Sequence, residues 1–316
     1  MNFYGDTENN STTQCKPVSR FIFIKTMKTG GSTTANMLVR YGIKYQLYTS
    51  RYNIGHYTCT NLTGIDFMAM HLRYNRTWMD GIIPDAKYLT ILRSPYSQLP
   101  SAFYFFNFAR PLLNYTDPFR QYIENTDNYT HFTDKHHQHR NGQMWFLNSR
   151  FDEGEQDNET SIKLAIQRID KEIDFAIILE HYDESLVVLK QMMCWDYNDI
   201  IYYITKKSSE RNPVTTAMKK NIRAWNRADM LLYEHFNHSL WERISNYQGD
   251  FKEDLRRFRE INKNATRPCL RDKNYVIKDS FCWRLLSDTP KLRHFAIVNQ
   301  KSRNLTEELK QKCQLL

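Results

Sequence analysis

One short stretch combines two lysines, two glycines and a run of hydroxyl side chains: Lys25-Thr-Met-Lys-Thr-Gly-Gly-Ser-Thr-Thr34. Gly30 and Gly31 let the backbone come close to a ligand. A helix starting after them offers unpaired N–H groups and the positive end of its dipole. With Lys25, Lys28, Thr29, Ser32 and Thr33 around it, this segment suits a phosphate-like anion. It is not a Walker A loop, which carries its lysine after the last glycine. Here Lys28 precedes Gly30 and Gly31, which disfavours an ordinary ATP or GTP hydrolase and a nucleotide kinase. A glycine turn flanked by surface lysines is the plain alternative.

A second constellation begins at Arg93, followed by Ser94, Pro95 and, eight residues on, Ser101. Ser94 suits an N-cap and Pro95 the first helical position. Two helical turns then bring Ser101 to the side of Arg93, where the pair can grip a second phosphate. Pro100 lacks an N–H, so it threatens to kink that helix and displace the grip. His71 closes a short apolar run near the same sheet edge; a hydrogen-bonded structural histidine is the plain reading there. His131, His136, His137 and His139 invite a metal, but no cysteine or carboxylate pattern completes a site. No functional metal is expected. Tyr104, Phe105 and Phe106 could stack on a sugar, although core packing explains them more simply.

These residues need a scaffold that brings them together. Four nearly continuous apolar runs read as strands buried on both faces: Arg20–Ile24, Phe67–His71, Tyr88–Leu92 and Phe175–Leu179. Helical spacing predicts helices over Thr34–Arg40, ending near Gly42, over Glu184–Trp195 and over Thr216–Phe236. The order strand, loop, helix, strand predicts an α/β domain with a parallel sheet flanked by helices. The two constellations would then lie at the C-terminal edges of strands, where open α/β sheets bind ligands. Residues 1–19 read as a polar stem-like tail and 20–245 as the main domain. The stretch 246–316 reads as a partly irregular extension packed on it, and the acidic residues 152–159 as a solvated loop.

With 316 residues and 41% apolar content, the chain can bury a sizeable core. A net charge of +9 suits an anionic ligand, while the basic residues are dispersed, without the stripe that nucleic-acid binding requires. Mean hydropathy is −0.68, and no run approaches the roughly 18 apolar residues of a membrane span. Six cysteines include no C-x-x-C pair. Cys269 and Cys282 bracket one short segment and are the first pair to test. Glycosylation sequons occur at Asn9, Asn10, Asn61, Asn75, Asn114, Asn128, Asn158, Asn237, Asn264 and Asn304. About three would arise by chance, so the excess points to the lumen of the secretory route.

The ordered set of motifs resembles the galactose-3-O-sulfotransferases, which include galactosylceramide sulfotransferases. It comprises Lys25-Thr-x-Lys-Thr-x-x-Ser-Thr, His71-Leu-Arg-Tyr74, Thr90-Ile-Leu-Arg-Ser-Pro95 and Ile178-Leu-Glu-His-Tyr-Asp-Glu-Ser-Leu186. Cys194-Trp195, Trp225-Asn226, Asp229, Leu232-Tyr233, Phe236-Asn237 and Trp241 continue it. The resemblance implies a P-loop-like α/β fold and a Golgi type II membrane protein. It implies 3′-phosphoadenosine 5′-phosphosulfate (PAPS) as donor, with no metal, and the 3-hydroxyl of a terminal galactose on a glycolipid or glycan as acceptor. Membrane association would come only through an N-terminal anchor, which this sequence does not display. Lys28 would stabilise the leaving phosphate. Lys25, Thr29, Gly30, Gly31, Ser32 and Thr33 would hold the 5′-phosphosulfate, Arg93 and Ser101 the 3′-phosphate. His71 matches the histidine of the family's Asn-His-Met-Arg-Phe segment and would act as base. Met27 departs from the family, which has a histidine there. That leaves two alternatives open: a sulfotransferase for another sugar position, and an inactive PAPS- or glycan-binding relative.

Overall fold

The computed structural model describes residues 15–49, 64–148, 157–204, 213–271 and 277–299. Cys59, Cys313, the sequons at Asn9, Asn10, Asn61 and Asn304, and most of the acidic stretch 152–159 lie outside them.

The four apolar runs form the strands β1 (Phe21–Ile24), β2 (Phe67–Met70), β3 (Lys87–Leu92) and β4 (Phe175–Ile178). They make one parallel sheet in the order β2-β1-β3-β4. Every residue of β1, β2 and β4 is buried, the condition under which a strand loses the polar alternation of a one-sided sheet. From β1 the chain crosses to β2 on one side, and β3 then returns to the other flank of β1. The strand order therefore reverses between β1 and β3, and the crevice beyond their C-terminal ends is the usual ligand position in such sheets.

Helix α1 (Gly31–Lys44) follows β1, α2 (Arg76–Ile82) follows β2, and α3 (Pro95–Phe105) follows β3. Between β3 and β4 stand α4 (Pro118–Glu124), α5 (Gly142–Leu147) and α6 (Glu159–Glu172). After β4 come α7 (Tyr182–Met193), α8 (Thr216–Trp225) and α9 (Arg227–Ser245), then α10 (Phe251–Arg271), α11 (Phe281–Leu286) and α12 (Thr289–Asn299).

Several expectations are corrected. Helix α1 does not stop near Gly42: it begins at the glycine pair and runs to Lys44, because Gly42 faces the Phe67 ring so closely that a Cβ would collide with it. The single helix expected over Thr216–Phe236 is two helices, broken at Asn226. There Asn226 Oδ1 accepts from the Asn141 amide at 2.7 Å, and Asn141 Oδ1 accepts from the amides of Ala228 and Asp229, both at 3.1 Å. This exchange caps the start of α9 in place of a continued helix. The described residues of the C-terminal stretch are mostly helical rather than irregular. In α10 a narrow stripe of Phe251, Leu255, Phe258 and Cys269 faces inward from an otherwise charged helix, which masks the pattern in the sequence. Helix α3 passes through Pro100 unbroken.

Two disulfides join Cys15 to Cys194 and Cys269 to Cys282. Among the described residues, no helix is long and apolar enough to cross a membrane.

Candidate active site

The lysine loop and the arginine strand end meet in the crevice between β1 and β3. Arg93 Nη1 donates to the Lys28 carbonyl at 3.1 Å, so the two constellations share one wall. The loop is latched from below. Thr26 Oγ1 donates to the Ile91 carbonyl at 2.6 Å, and Thr90 Oγ1 donates to the Ile24 carbonyl at 3.0 Å, tying β1 to β3 beneath it. From above, Gln98 Nε2 of α3 donates to the Met27 carbonyl at 3.0 Å.

Gly30 ends the loop at φ +82°, a left-handed conformation that costs glycine little, and a Cβ there would lie 2.6 Å from Leu179 Cδ1. Lys25 lies across Gly31, where a Cβ would come within 2.6 Å of Lys25 Cγ, and its ammonium donates to Ser32 Oγ at 3.1 Å. Lys28 itself sits at φ 60° and holds its ammonium 3.8 Å from the centroid of the Phe105 ring. Thr29 differs from its expected part: it is fully buried, with its hydroxyl 2.9 Å from Thr26 Oγ1 and donating to the Thr26 carbonyl. Its side chain is a latch. Thr34 is buried as well, against the Tyr182 hydroxyl at 2.9 Å, whereas Ser32 and Thr33 are only partly buried. A small recess beside them is lined by Ser32, Thr33, Asn36, Tyr203 and residues 287–290.

Arg93 is held more elaborately than its sequence context suggests. Gln143 of α5 brackets its backbone, accepting from the Arg93 amide at 2.8 Å through Oε1 and donating to its carbonyl at 2.9 Å through Nε2. Arg93 Nε donates to Ser97 Oγ at 2.8 Å. Ser97, one turn nearer than Ser101, is the serine that Arg93 engages; Ser101 lies further along α3 and is buried. Ser94 occupies the N-cap position without a capping bond from its side chain. Instead its amide donates to Glu180 Oε1 at 3.0 Å, and Ser97 Oγ donates to the same oxygen at 3.1 Å. The carboxylate of the turn after β4 thus takes up donors at the start of α3, a favourable place for negative charge.

Behind Gln143 stands Asp229 of α9, fully buried. Its two oxygens accept from the amides of Gln143 at 3.1 Å and Met144 at 2.7 Å. Burial raises its pKa to about 6, against the pull of those amides.

His71, just past β2, places Nδ1 2.8 Å from the Lys25 carbonyl. A carbonyl only accepts, so Nδ1 carries the proton and Nε2 keeps its lone pair. Desolvation, and then the charge of Lys25, lower the His71 pKa to about 4. The residue is exposed overall, yet its ring lies close enough to the protein for that penalty to act. His71 is therefore a neutral imidazole with an accepting nitrogen at the rim of the crevice.

The other histidines are dispersed. His137 stacks on Trp145 at 3.9 Å, His139 is buried 3.2 Å from the Tyr122 hydroxyl, and His131 is exposed. Among the described residues, no group of three or more His, Cys, Asp or Glu is arranged to hold a metal. Tyr104 and Phe106 pack against the apolar cluster beneath α3 as expected, whereas Phe105 meets Phe106 edge-on, with ring centroids 5.1 Å apart, and is 63% exposed.

Sequence reasoning missed Thr26, Ser97, Gln98, Gln143 and Glu180. Ser97 had a usable signal, its i+4 spacing from Arg93. The others are polar residues whose partners lie far off in the chain.

A family model described as galactose-3-O-sulfotransferase matches residues 5–284. Among curated relatives, galactosylceramide sulfotransferase of Mus musculus is 24% identical over 287 residues, covering 83% of this chain and 66% of that protein. Galactose-3-O-sulfotransferase 2 of Homo sapiens is 27% identical over 81% of this chain and 69% of its own length. Galactose-3-O-sulfotransferase 3 of Mus musculus is 28% identical over 79% and 63%. The chain thus spans about two thirds of the length of these relatives. No solved structure matches it significantly. Matched by that model over most of its length, the chain belongs to the galactose-3-O-sulfotransferase family.

Proposed function

We propose that the chain transfers a sulfuryl group from PAPS to the 3-hydroxyl of a terminal galactose on a glycolipid or glycan. The observation that carries this is the contact between Arg93 and the Lys28 carbonyl, which unites two anion-binding features at the strand-order reversal. The residues fit a doubly anionic nucleotide. The first-turn amides of α1, with Lys25, Gly30, Gly31, Ser32 and Thr33, hold the 5′ end; Thr29 shapes the loop from within. Arg93 with Ser97 holds the 3′-phosphate, and Ser101 backs the helix. A phosphate there competes with Glu180 for the Ser94 amide and the Ser97 hydroxyl.

PAPS would supply the sulfuryl group to this site. The work of the chain is to position the reactants and to stabilise charge. Lys28 neutralises the charge that gathers on the leaving phosphate as its bond to sulfur breaks. His71 accepts the proton of the galactose hydroxyl at Nε2 as the new S–O bond forms. On this reading His71 takes the part of the loop histidine that the family carries where this chain has Met27.

Residues 20–245 would form the transferase unit, with 246–316 as its support. The protein would act on the lumenal side of the Golgi membrane, held there by an N-terminal anchor. Of the described sequons, Asn75, Asn114, Asn128, Asn158 and Asn264 are exposed, which suits lumenal glycosylation, whereas Asn237 is half-buried. Asn75 and Asn158 cap helices through Oδ1, which leaves Nδ2 for a glycan. Two disulfides also suit an oxidising compartment.

The test is transfer of labelled sulfate from PAPS to galactosylceramide, N-acetyllactosamine and a uronic-acid acceptor, with the position of the ester read by NMR. A galactose 3-sulfate is expected. Lys28→Ala should lower kcat by about 10²–10³-fold at unchanged Tm. An ester at another position would select the other-sugar alternative. An inert wild type that gains transfer on Met27→His, at constant nucleotide affinity, would mark it as a binding relative.

A further inference from the structure

Helix α3 sets Ser97, Ser101 and Phe105 four residues apart, on one face. The face changes character along its length. Ser97 holds Arg93, Ser101 is buried, and Phe105 stands 63% exposed with the Lys28 ammonium 3.8 Å from its ring centroid. Its neighbours Phe103, Tyr104 and Phe106 are engaged in the core beneath α3. A ring this large gains nothing from water. It gains from a partner with an apolar face, and the ring beside Lys28 adjoins the place where sulfuryl transfer would occur.

We infer that Phe105 is the platform on which the acceptor galactose stacks; this rests on the proposal that Lys28 stands at the reacting centre. Galactose suits such a platform. Its axial 4-hydroxyl leaves the hydrogens of C3, C4 and C5 on one side of the ring, an apolar patch that covers an aromatic face. A sugar held there lies beside the loop that carries Lys28. The cation–π contact gives the ring a second task, holding Lys28 until an anion draws the ammonium away. Departure of the ammonium to the nucleotide then uncovers the ring for the sugar.

The test compares wild type with Phe105→Ala, Phe105→Leu and Phe105→Trp. KM and kcat are measured for lactose and galactosylceramide. Affinity for adenosine 3′,5′-bisphosphate is measured by calorimetry, and lactose binding in its presence by saturation-transfer NMR. Phe105→Ala should raise the galactoside KM roughly tenfold and abolish saturation of the galactose H3–H5 protons. Leucine should fall between, and tryptophan should stay near wild type, with kcat and bisphosphate affinity within threefold throughout. An unchanged KM in Phe105→Ala overturns the inference. So does a loss of bisphosphate affinity that matches the rise in KM, since the ring would then serve only the lysine. The two proposals fail separately. A wild type that binds lactose through Phe105 but transfers no sulfate defeats the sulfotransferase proposal alone. One that transfers sulfate unimpaired by Phe105→Ala defeats the platform alone, and one that neither binds nor sulfates galactosides defeats both.

Discussion

A general base must be within reach of its proton and unprotonated at the working pH. His71 meets the second condition through its surroundings. The Lys25 carbonyl fixes the proton on Nδ1, and desolvation with the nearby Lys25 charge brings the pKa to about 4. In the proposed role the active form is the neutral one, so activity should be lost as pH falls through about 4 and stay flat above it. An unperturbed histidine would instead give a limb near 6.5. The check is kcat/KM against pH in wild type and Lys25→Ala; removing the positive charge should move the limb upward. A wild-type limb near 6.5 would show that the surroundings do not hold His71 neutral, and one that Lys25→Ala leaves in place would assign the titration to another group. At this scale the sequence was legible only where a residue type is rare in its role. Lys28 before two glycines and Arg93 after an apolar run stand out unaided. Ser97 shows only through its i+4 spacing from Arg93, and Gln98 and Glu180 do not stand out, because glutamines and glutamates are ordinary on surfaces and their partners lie 71–86 residues away.

Elements explain how a loop end such as Arg93 stays fixed without a ligand. Helix α9 presents Asp229 to the first turn of α5, and α5 presents Gln143 to both backbone groups of Arg93. The four strands were readable from their apolar runs, since burial on both faces leaves a continuous signature. The break between α8 and α9 was not, because helical spacing continues across Asn226 and only the partner Asn141, 85 residues away, shows that the register restarts. Asp229 looked like one more position on a helix face for the same reason. Asp229→Asn keeps the shape but turns an N–H₂ toward one of the two amides, which should cost about 1–3 kcal/mol. Donor affinity should fall with it as Arg93 loosens, while Asn at a merely structural site would lower Tm alone. The pH dependence carries a sign of its own. The folded-state pKa of about 6 exceeds the ordinary carboxylate value of 3.8, so the folded protein holds an extra proton between them. That contribution to stability is full below about pH 4 and is lost as pH rises through about 6. Urea denaturation of wild type should show this slope between the two values and Asp229→Asn should not; an equal slope in both would assign the titration elsewhere.

At the scale of the whole molecule, the C-terminal helices brace α1 and the end of the lysine loop from a distance of some 250 residues. Asn36 of α1 donates to the carbonyls of Arg284 and Ser287, at 3.0 and 2.9 Å, and Thr289 Oγ1 donates to the Ser32 carbonyl at 3.0 Å. Arg40 of α1 is buried, donates from Nε to Asn36 Oδ1 at 2.9 Å and reaches the Ile201 carbonyl. Arg259 of α10 pairs with Asp183 and Glu184 at the start of α7, which closes the same layer. The pair Cys269–Cys282, readable from its short spacing, ties α10 to α11 and so holds α11 against α1. What the spacing could not reveal is that this staple bears on the lysine loop through α1, since the contact depends on how α1 and α11 pack. Cross-linking over a separation of 13 residues should stabilise the fold by about 3 kcal/mol through the entropy of the unfolded chain. In the double variant Cys269→Ser, Cys282→Ser, Tm should fall by several degrees. Bisphosphate affinity should fall too, because α11 and α12 carry the groups that hold Asn36 and Ser32. Measured well below the lowered Tm, affinity separates the two effects. A variant that melts earlier yet binds the bisphosphate like wild type would mean that the staple stabilises the extension only, and that α1 keeps its loop in place unaided.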